Sequence, residues 1–234
     1  KKNIEEEKNF QKAEMKALQA QITPHFLYNT LDTILWLAEQ EETQEVVKIT
    51  KAFSDFLRIS LSRGHEWITI QQEIDHIKNY LTIQKIRYAD VLNYKIEVNE
   101  DLLNFKTIKL VLQPLVENAI YHGIKNKRGR GNLSVFVDYA DESKQLIKFS
   151  VQDDGAGFTP ERLQEVCTEL TNASTDSEKL NSVYGLYNVN KKLKLYYGEK
   201  TKGLEIKSEH QKGTIISFTI PCKIEVEDSG EENV

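Results

Sequence analysis

Cysteine is almost missing from this chain. Cys167 and Cys222 are the only two in 234 residues; they form no CxxC and have no clustered histidines beside them. A disulfide framework and a zinc cage are thereby excluded as organising devices, and reduced thiols are the plain reading. Long apolar runs are also missing: none approaches the ~18–20 residues that span a bilayer, and no signal peptide is recognisable. A surplus of positive charge is the third absence. Lys+Arg of 31 against Asp+Glu of 36 leaves a net charge of −5. Such a chain has no general attraction for a polyanion, so no nucleic-acid partner is expected. What is present, 39% hydrophobic and 29% charged residues, suits a soluble globular protein with room for one large or two modest cores.

The apolar pattern changes period along the chain. From Met15 to about Tyr88 it is helical. Met15, Leu18 and Ile22 step by three and four; beyond Pro24 a stripe runs through Leu27, Leu31, Ile34, Leu35 and Ala38. A second follows through Val46, Ile49, Phe53, Phe56 and Leu57, ended by Arg63-Gly64. A third opens at a capping box, Thr69-x-x-Gln72, and carries Ile74, Ile77, Leu81 and Tyr88. Three such helices, the first two a hairpin, bury little alone, and pairing with a second copy into a four-helix bundle would cover the remainder. The polar stretch before Met15 has a weak seam, compatible with a coiled coil or a frayed end.

From Asn93 onward, two-residue alternation appears at Tyr94–Val98, Leu133–Val137, Ile147–Val151 and Ile216–Ile220. Helical stretches are expected over Ile108–Ile120, Pro160–Leu170 and Leu186–Tyr197. The fold class is therefore α+β: a helical hairpin region, then an α/β sandwich with helices on one face of a mixed, mostly antiparallel sheet. The domains read as 1–90 (helical), 91–222 (α/β) and 223–234, an acidic disordered tail. Residues 171–184 are polar and aperiodic, as a lid loop would be.

Four short signals carry chemistry in the second half. In Val116-Glu117-Asn118-Ala119-Ile120-Tyr121-His122-Gly123, Asn118 and His122 lie four apart on one helix face. A carboxamide oxygen is a hard ligand that suits magnesium, although an isolated helix Asn is usually a solvated one. Asp153-Asp154-Gly155-Ala156-Gly157-Phe158 sets a carboxylate at a strand end beside tightly turning backbone. That carboxylate can accept from an adenine amino group; a plain tight turn is the alternative. Gly185-Leu186-Tyr187-Asn188-Val189 opens a helix, whose first N–H groups bind phosphate. Gly213-Thr214 puts a hydroxyl at the start of the last strand.

In this order, the segment from Leu112 to Ala119, DxGxG, GLxNV and GT before Ile220-Pro221 resembles the GHKL ATPase domain of histidine kinases. The run Gln19-Ala20-Gln21-Ile22-Thr23-Pro24-His25-Phe26-Leu27-Tyr28-Asn29-Thr30-Leu31 is similar to the phosphoacceptor box of LytS/YesM-type sensor kinases, and Tyr80-Leu81-x-Ile83-Gln84-x-x-Arg87-Tyr88 to that family's linking helix. The resemblance covers about residues 15–222. It implies ATP and Mg2+ as cofactors, autophosphorylation of His25, and phosphoryl transfer to an aspartate of a response regulator. It makes His25 and Glu117 catalytic and Asn118 the metal ligand. Asn118, His122, Lys125, Asp153, Gly155, Gly157, Gly185, Leu186 and Thr214 become the ATP-binding set, and 171–184 becomes the ATP lid. A homodimer and an upstream membrane sensor segment are implied too. Opening on Lys1-Lys2 without a methionine, the chain reads as the cytoplasmic portion of a membrane-anchored receptor.

His25 has a local rationale of its own. A neutral imidazole is a nucleophile near pH 7, and Pro24 either opens a helix, setting His25 near its positive end, or kinks a continuous one. Asn29 and Asp32, one and two turns on, are the candidates to orient the ring. Two positions depart from the family pattern. Tyr121 stands where lysine is common, which shifts the phosphates toward Lys125 or the run Lys127-Arg128-Arg130, itself readable as a solvated loop. Val183 replaces a lid glycine. Related ATPases that hydrolyse ATP use a water-activating Glu one turn before the magnesium Asn; here that position is Pro114, which favours phosphoryl transfer. An ATPase, or a degenerate kinase serving as a dimeric scaffold, is the alternative.

Overall fold

The computed structural model describes residues 24–62, 66–171 and 184–223. The seam Met15-Leu18-Ile22, the Arg63-Gly64 stop, nearly all of the lid including Val183, and the acidic tail from 224 lie outside the described residues. What is described falls into two compact units, one taking the residues before Glu66 together with Ile74–Ala89, the other Glu66–Glu73 and the residues from Asp90 on.

In the first unit, α1 (Pro24–Glu39) and α2 (Thr43–Ser60) form the expected hairpin, turning through Glu41 at φ 61°. The third helix, α3 (Ile70–Arg87), contributes its residues from Ile74 onward. Its capping box forms as read: Thr69 N–H donates to Gln72 Oε1 at 2.9 Å, and Gln72 N–H to Thr69 Oγ1 at 3.1 Å. Aromatic rings fill the core. Phe26 lies 5.0 Å from Phe56 and 5.1 Å from Tyr80, and Phe56 stacks on the buried His76 at 4.5 Å. His76 Nε2 donates to Ser60 Oγ at 2.9 Å, whose own proton goes to the Phe56 carbonyl, also at 2.9 Å.

One face of α1 is the reverse of a simple amphipathic expectation. Phe26, Thr30 and Leu37 are its buried residues. Much of the stripe read as apolar is bare, with Leu31 47% and Leu35 63% exposed, flanked by Tyr28 at 68% and Trp36 at 58%. Phenylalanine and a threonine bonded to the Phe26 carbonyl won the inner face, leaving the leucines outward.

The second unit is built on a five-stranded sheet. Its strands are β2 (Leu92–Val98), β4 (Gly131–Tyr139), β5 (Leu146–Asp153), β6 (Glu205–Glu209) and β7 (Gly213–Pro221), in the order β2-β4-β5-β7-β6. Among the described strands, only β2 and β4 pair in parallel. The covering helices are α4 (Leu112–Asn118), α5 (Pro160–Thr171) and α6 (Tyr184–Tyr197). Alternate strand residues bury one face in rows set by register: Val137–Phe149–Phe218 and Val135–Val151–Ile216, with the two phenylalanines stacked at 4.8 Å. The next row is Leu133–Asp153–Thr214–Ser208, where the inner face turns polar. β6 was not among the expected strands because Ile206 is its single apolar residue.

A two-stranded ribbon, β1 (Trp67–Thr69) with β3 (Lys106–Ile108), corrects the expected helix over Ile108–Ile120. Ile108 ends a strand, and Leu110 at φ 60° separates it from α4. The buried Glu73 carboxylate makes this turn possible. It accepts the N–H groups of Leu110, Val111 and Leu112 at 2.8–2.9 Å, which are otherwise orphans at a helix start.

Candidate active site

Helix α4 ends at Asn118 and widens into a π turn over Ala119–Gly123. The extra residue in that turn breaks the simple one-face relation expected for Asn118 and His122: Asn118 is 8% exposed, whereas His122 faces outward. It also delivers Gly123 to the end of β5. A Cβ on Gly123 would lie 2.4 Å from Asp153 Oδ1, and one on Gly155 would lie 2.2 Å from the Gly123 carbonyl carbon. Ala156 N–H donates to the Gly123 carbonyl at 3.1 Å. No side chain fits between the helix that carries Asn118 and the strand end that carries Asp153, so the two are joined through bare backbone.

Asp153 is 4% exposed. Burial pushes its carboxyl up to about 6, aided by the neighbouring Asp154 and opposed by N–H groups of Gly155 and Thr214. Asp154 goes the other way. Although partial burial works against its charge, Asn132 and Lys127 hold it below the usual range, with Asn132 donating at 2.7 and 2.8 Å and the Lys127 ammonium at 3.1 Å. Lys127 is thus committed to Asp154. Lys125, the other cation expected near the phosphates, sits 4.4 Å over the Tyr121 ring.

Thr214 lies directly across β5–β7 from Asp153, and Ser208 directly across β6–β7 from Thr214. The Ser208 and Thr214 hydroxyl oxygens are 2.9 Å apart. Gly157 takes φ 64° in the DxGxG turn, a conformation closed to most side chains. Gly185, second in α6, packs against Pro114 of α4, with 3.3 Å between its would-be Cβ and the ring. Leu186 beside it is buried. The first turns of α4 and α6 therefore meet.

Glu117 accepts from Gln113 Nε2 at 2.9 Å, and burial pushes its carboxyl up. Partial burial and the charge of Arg162 lower the His122 imidazole, which keeps it neutral near pH 7. Asn118 is a buried residue, and no hydrogen bond from another described residue occupies its carboxamide. No three His, Cys, Asp or Glu side chains converge as a metal cage among the described residues. A cation on the hard Asn118 oxygen would draw its remaining ligands from phosphate and water.

In the first unit, His25 is exposed, and the Asn29 amide nitrogen, Nδ2, lies 2.9 Å from its Nδ1. Of the two candidates to orient the ring, Asn29 is the one in contact. Whether Pro24 opens or kinks a helix depends on residues outside those described. An open groove of about 710 Å3 runs along α2 and is lined by that helix alone, from Val46 to Arg58. Glu73, Gly123 and Ser208 were not singled out from the sequence. Gly123 closes the Asn118 motif and could have been; Glu73 acts through N–H groups more than thirty positions away, and Ser208 lies in a strand with too little apolar alternation to be read. No described helix is long and apolar enough to cross a membrane.

Residues 13–92 match the model of the family described as histidine kinase, and residues 104–230 that described as histidine kinase-, DNA gyrase B-, and HSP90-like ATPase. The chain is 35% identical over 224 residues to the sensor histidine kinase YesM of Bacillus subtilis, covering 96% of itself and 36% of YesM. It is also 35% identical over 209 residues to the uncharacterised YwpD of the same organism, covering 88% of itself and 69% of YwpD. The chain thus spans about a third of the length of YesM. Among solved structures, a bacterial phosphotransferase superposes with a TM-score of 0.53 at 14% identity, over 88% of this chain and 96% of that one, and shares the fold.

Proposed function

The chain belongs to the histidine kinase family, with the ATPase unit shared by DNA gyrase B and HSP90, and we propose that it transfers the terminal phosphoryl group of ATP to His25 and then to an aspartate of a response regulator. The observation that carries this reading is the junction at Gly123, which ties the Asn118 helix to the Asp153 strand end. In the proposal Asp153, ionised, accepts from the adenine amino group, with Thr214 beside it. Gly155 and Gly157 keep the turn low enough for the base. The first N–H groups of α6, at Gly185 and Leu186, meet the phosphates, joined by His122 and Lys125.

Asn118 holds magnesium through its carboxamide oxygen, and the metal offsets charge on the phosphate oxygens when bound. Glu117, next to Asn118, serves as the acid–base group of the same helix. At His25 the Asn29 Nδ2 lies against Nδ1; with that carboxamide turned over, its oxygen would accept from Nδ1–H and leave the Nε2 lone pair to attack. The N–P bond forms as the bond to the bridging oxygen breaks, and ADP leaves with the electron pair.

A homodimer through the bare face of α1, domains bounded at 1–90 and 91–222, and input from a membrane-anchored sensor segment belong to the same proposal. The sensor designation of YesM and the exposed leucines support it. The test is incubation of wild type and His25→Gln with magnesium and γ-labelled ATP. Wild type should gain acid-labile label and the variant essentially none; acid-labile label persisting on His25→Gln would show that the acceptor is another residue.

A further inference from the structure

We propose that Ser208 fixes the hydrogen-bonding polarity of Thr214 and thereby makes the pocket select a purine bearing an amino group over one bearing an oxo group at the same position. The inference rests on the reading of Asp153 as the residue that faces the base.

Ser208 stands in the polar row Asp153–Thr214–Ser208, three residues directly opposed across β5, β7 and β6 and so on one face of the sheet. Its hydroxyl makes three contacts. Phe158 N–H, from the DxGxG turn, approaches at 2.8 Å; the Gly213 carbonyl lies at 3.0 Å; Thr214 Oγ1 lies at 2.9 Å. A serine hydroxyl offers one proton and two acceptor sites. The amide can only donate and the carbonyl can only accept, so the Ser208 proton goes to Gly213. Only one arrangement makes all three contacts hydrogen bonds, and in it Thr214 spends its own proton on Ser208.

Thr214 Oγ1 then has only lone pairs left for a ligand. Beside it, Asp153 already accepts from Gly155 N–H at 2.8 Å through Oδ1 and, when ionised, is itself acceptor-only. The edge that faces a base therefore consists of two acceptors. An exocyclic amino group brings two protons to two acceptors. An oxo group in its place sets a third acceptor against them, the kind of mismatch that unpaired buried polar groups punish heavily. Without Ser208, the Thr214 proton is released and can turn toward an oxo group.

The experiment compares ATP with ITP, which carries oxo where ATP carries amino, by measuring both dissociation constants for wild type, Ser208→Ala and Ser208→Thr in the full chain with magnesium. Wild type should favour ATP by roughly a hundredfold or more. Ser208→Ala should shrink that preference by about tenfold, mainly through tighter ITP binding relative to ATP, and Ser208→Thr, which keeps the hydroxyl, should restore it. If Ser208→Ala weakens both nucleotides equally and leaves the ratio unchanged, Ser208 only supports the turn and the inference is wrong. A ratio unchanged in Ser208→Ala while Ser208→Thr collapses it is likewise against it. Wild type binding the two nucleotides equally would remove the reading of Asp153 and this inference together.

Discussion

Asp153 holds its place at a cost to stability. Its carboxyl titrates at about 6 in the folded chain against an ordinary value of 3.8, because burial disfavours the charge. With the folded value raised, its contribution is fully present below 3.8 and is lost as pH climbs through about 6. That gap corresponds to roughly 3 kcal/mol by pH 7. Asp153→Asn keeps the shape and an oxygen for Gly155 N–H but has no charge to bury. At pH 7 it should unfold at a higher urea concentration than wild type while losing ATP binding; an Asn variant that binds ATP as tightly as wild type would sink the role of the carboxylate. In wild type, ATP affinity should fall up to tenfold per pH unit below about 6, as protonation removes an acceptor. Calorimetric titration between pH 5 and 8 checks this, with a flat profile the contrary result.

At the scale of elements, the turn into α4 depends on one carboxylate from another helix. Glu73 Oε1 accepts from Val111 and Leu112, and Oε2 from Leu110. Burial pushes this carboxyl up, yet three N–H groups hold it. Glu73→Ala strands all three and should destabilise the chain by roughly 3 kcal/mol. Glu73→Gln keeps the oxygen for two of them but points an amide donor at Leu110, so about half that loss is expected. Equal urea midpoints for the two variants would contradict the assignment. In the helical unit, Phe56 is fully buried between Phe26 and His76, and Phe56→Ala should cost about 3–5 kcal/mol, read by chemical unfolding.

How much of these elements was legible follows from the range of the interactions that form them. The capping box at Thr69 needs four consecutive residues and was readable. The break between β3 and α4 was not, because apolar Ile108 through Leu112 suits either period, and Glu73, more than thirty positions earlier, decides it. The π turn was equally hidden: the spacing of Asn118 and His122 promised a shared face, and packing of Gly123 against Asp153 overrode it.

For the whole molecule, Tyr28, Leu31, Leu35 and Trp36 gather on α1 four of the exposed large hydrophobic side chains of the described residues. On the dimer reading, Leu35→Asp with Trp36→Glu should shift sedimentation equilibrium from dimer toward monomer, with ATP binding by the sheet unit retained. Unchanged mass would direct attention to other surfaces. An apolar stripe facing solvent while a threonine faces inward is what a helix shows when it has two partners to serve.

The sequence by itself determined the two periods, the helical hairpin, the four longer strands, and the local signatures around His25, Asn118, Asp153, Gly185 and Thr214, because each depends on residues a few positions apart. Tertiary structure alone decided which face of α1 is buried, that Glu73 caps α4, that Lys127 is taken by Asp154, and that Ser208 stands in line with Thr214 and Asp153. Those outcomes rest on register and on contacts between distant segments. Many chain arrangements satisfy the same local pattern, and only packing selects among them.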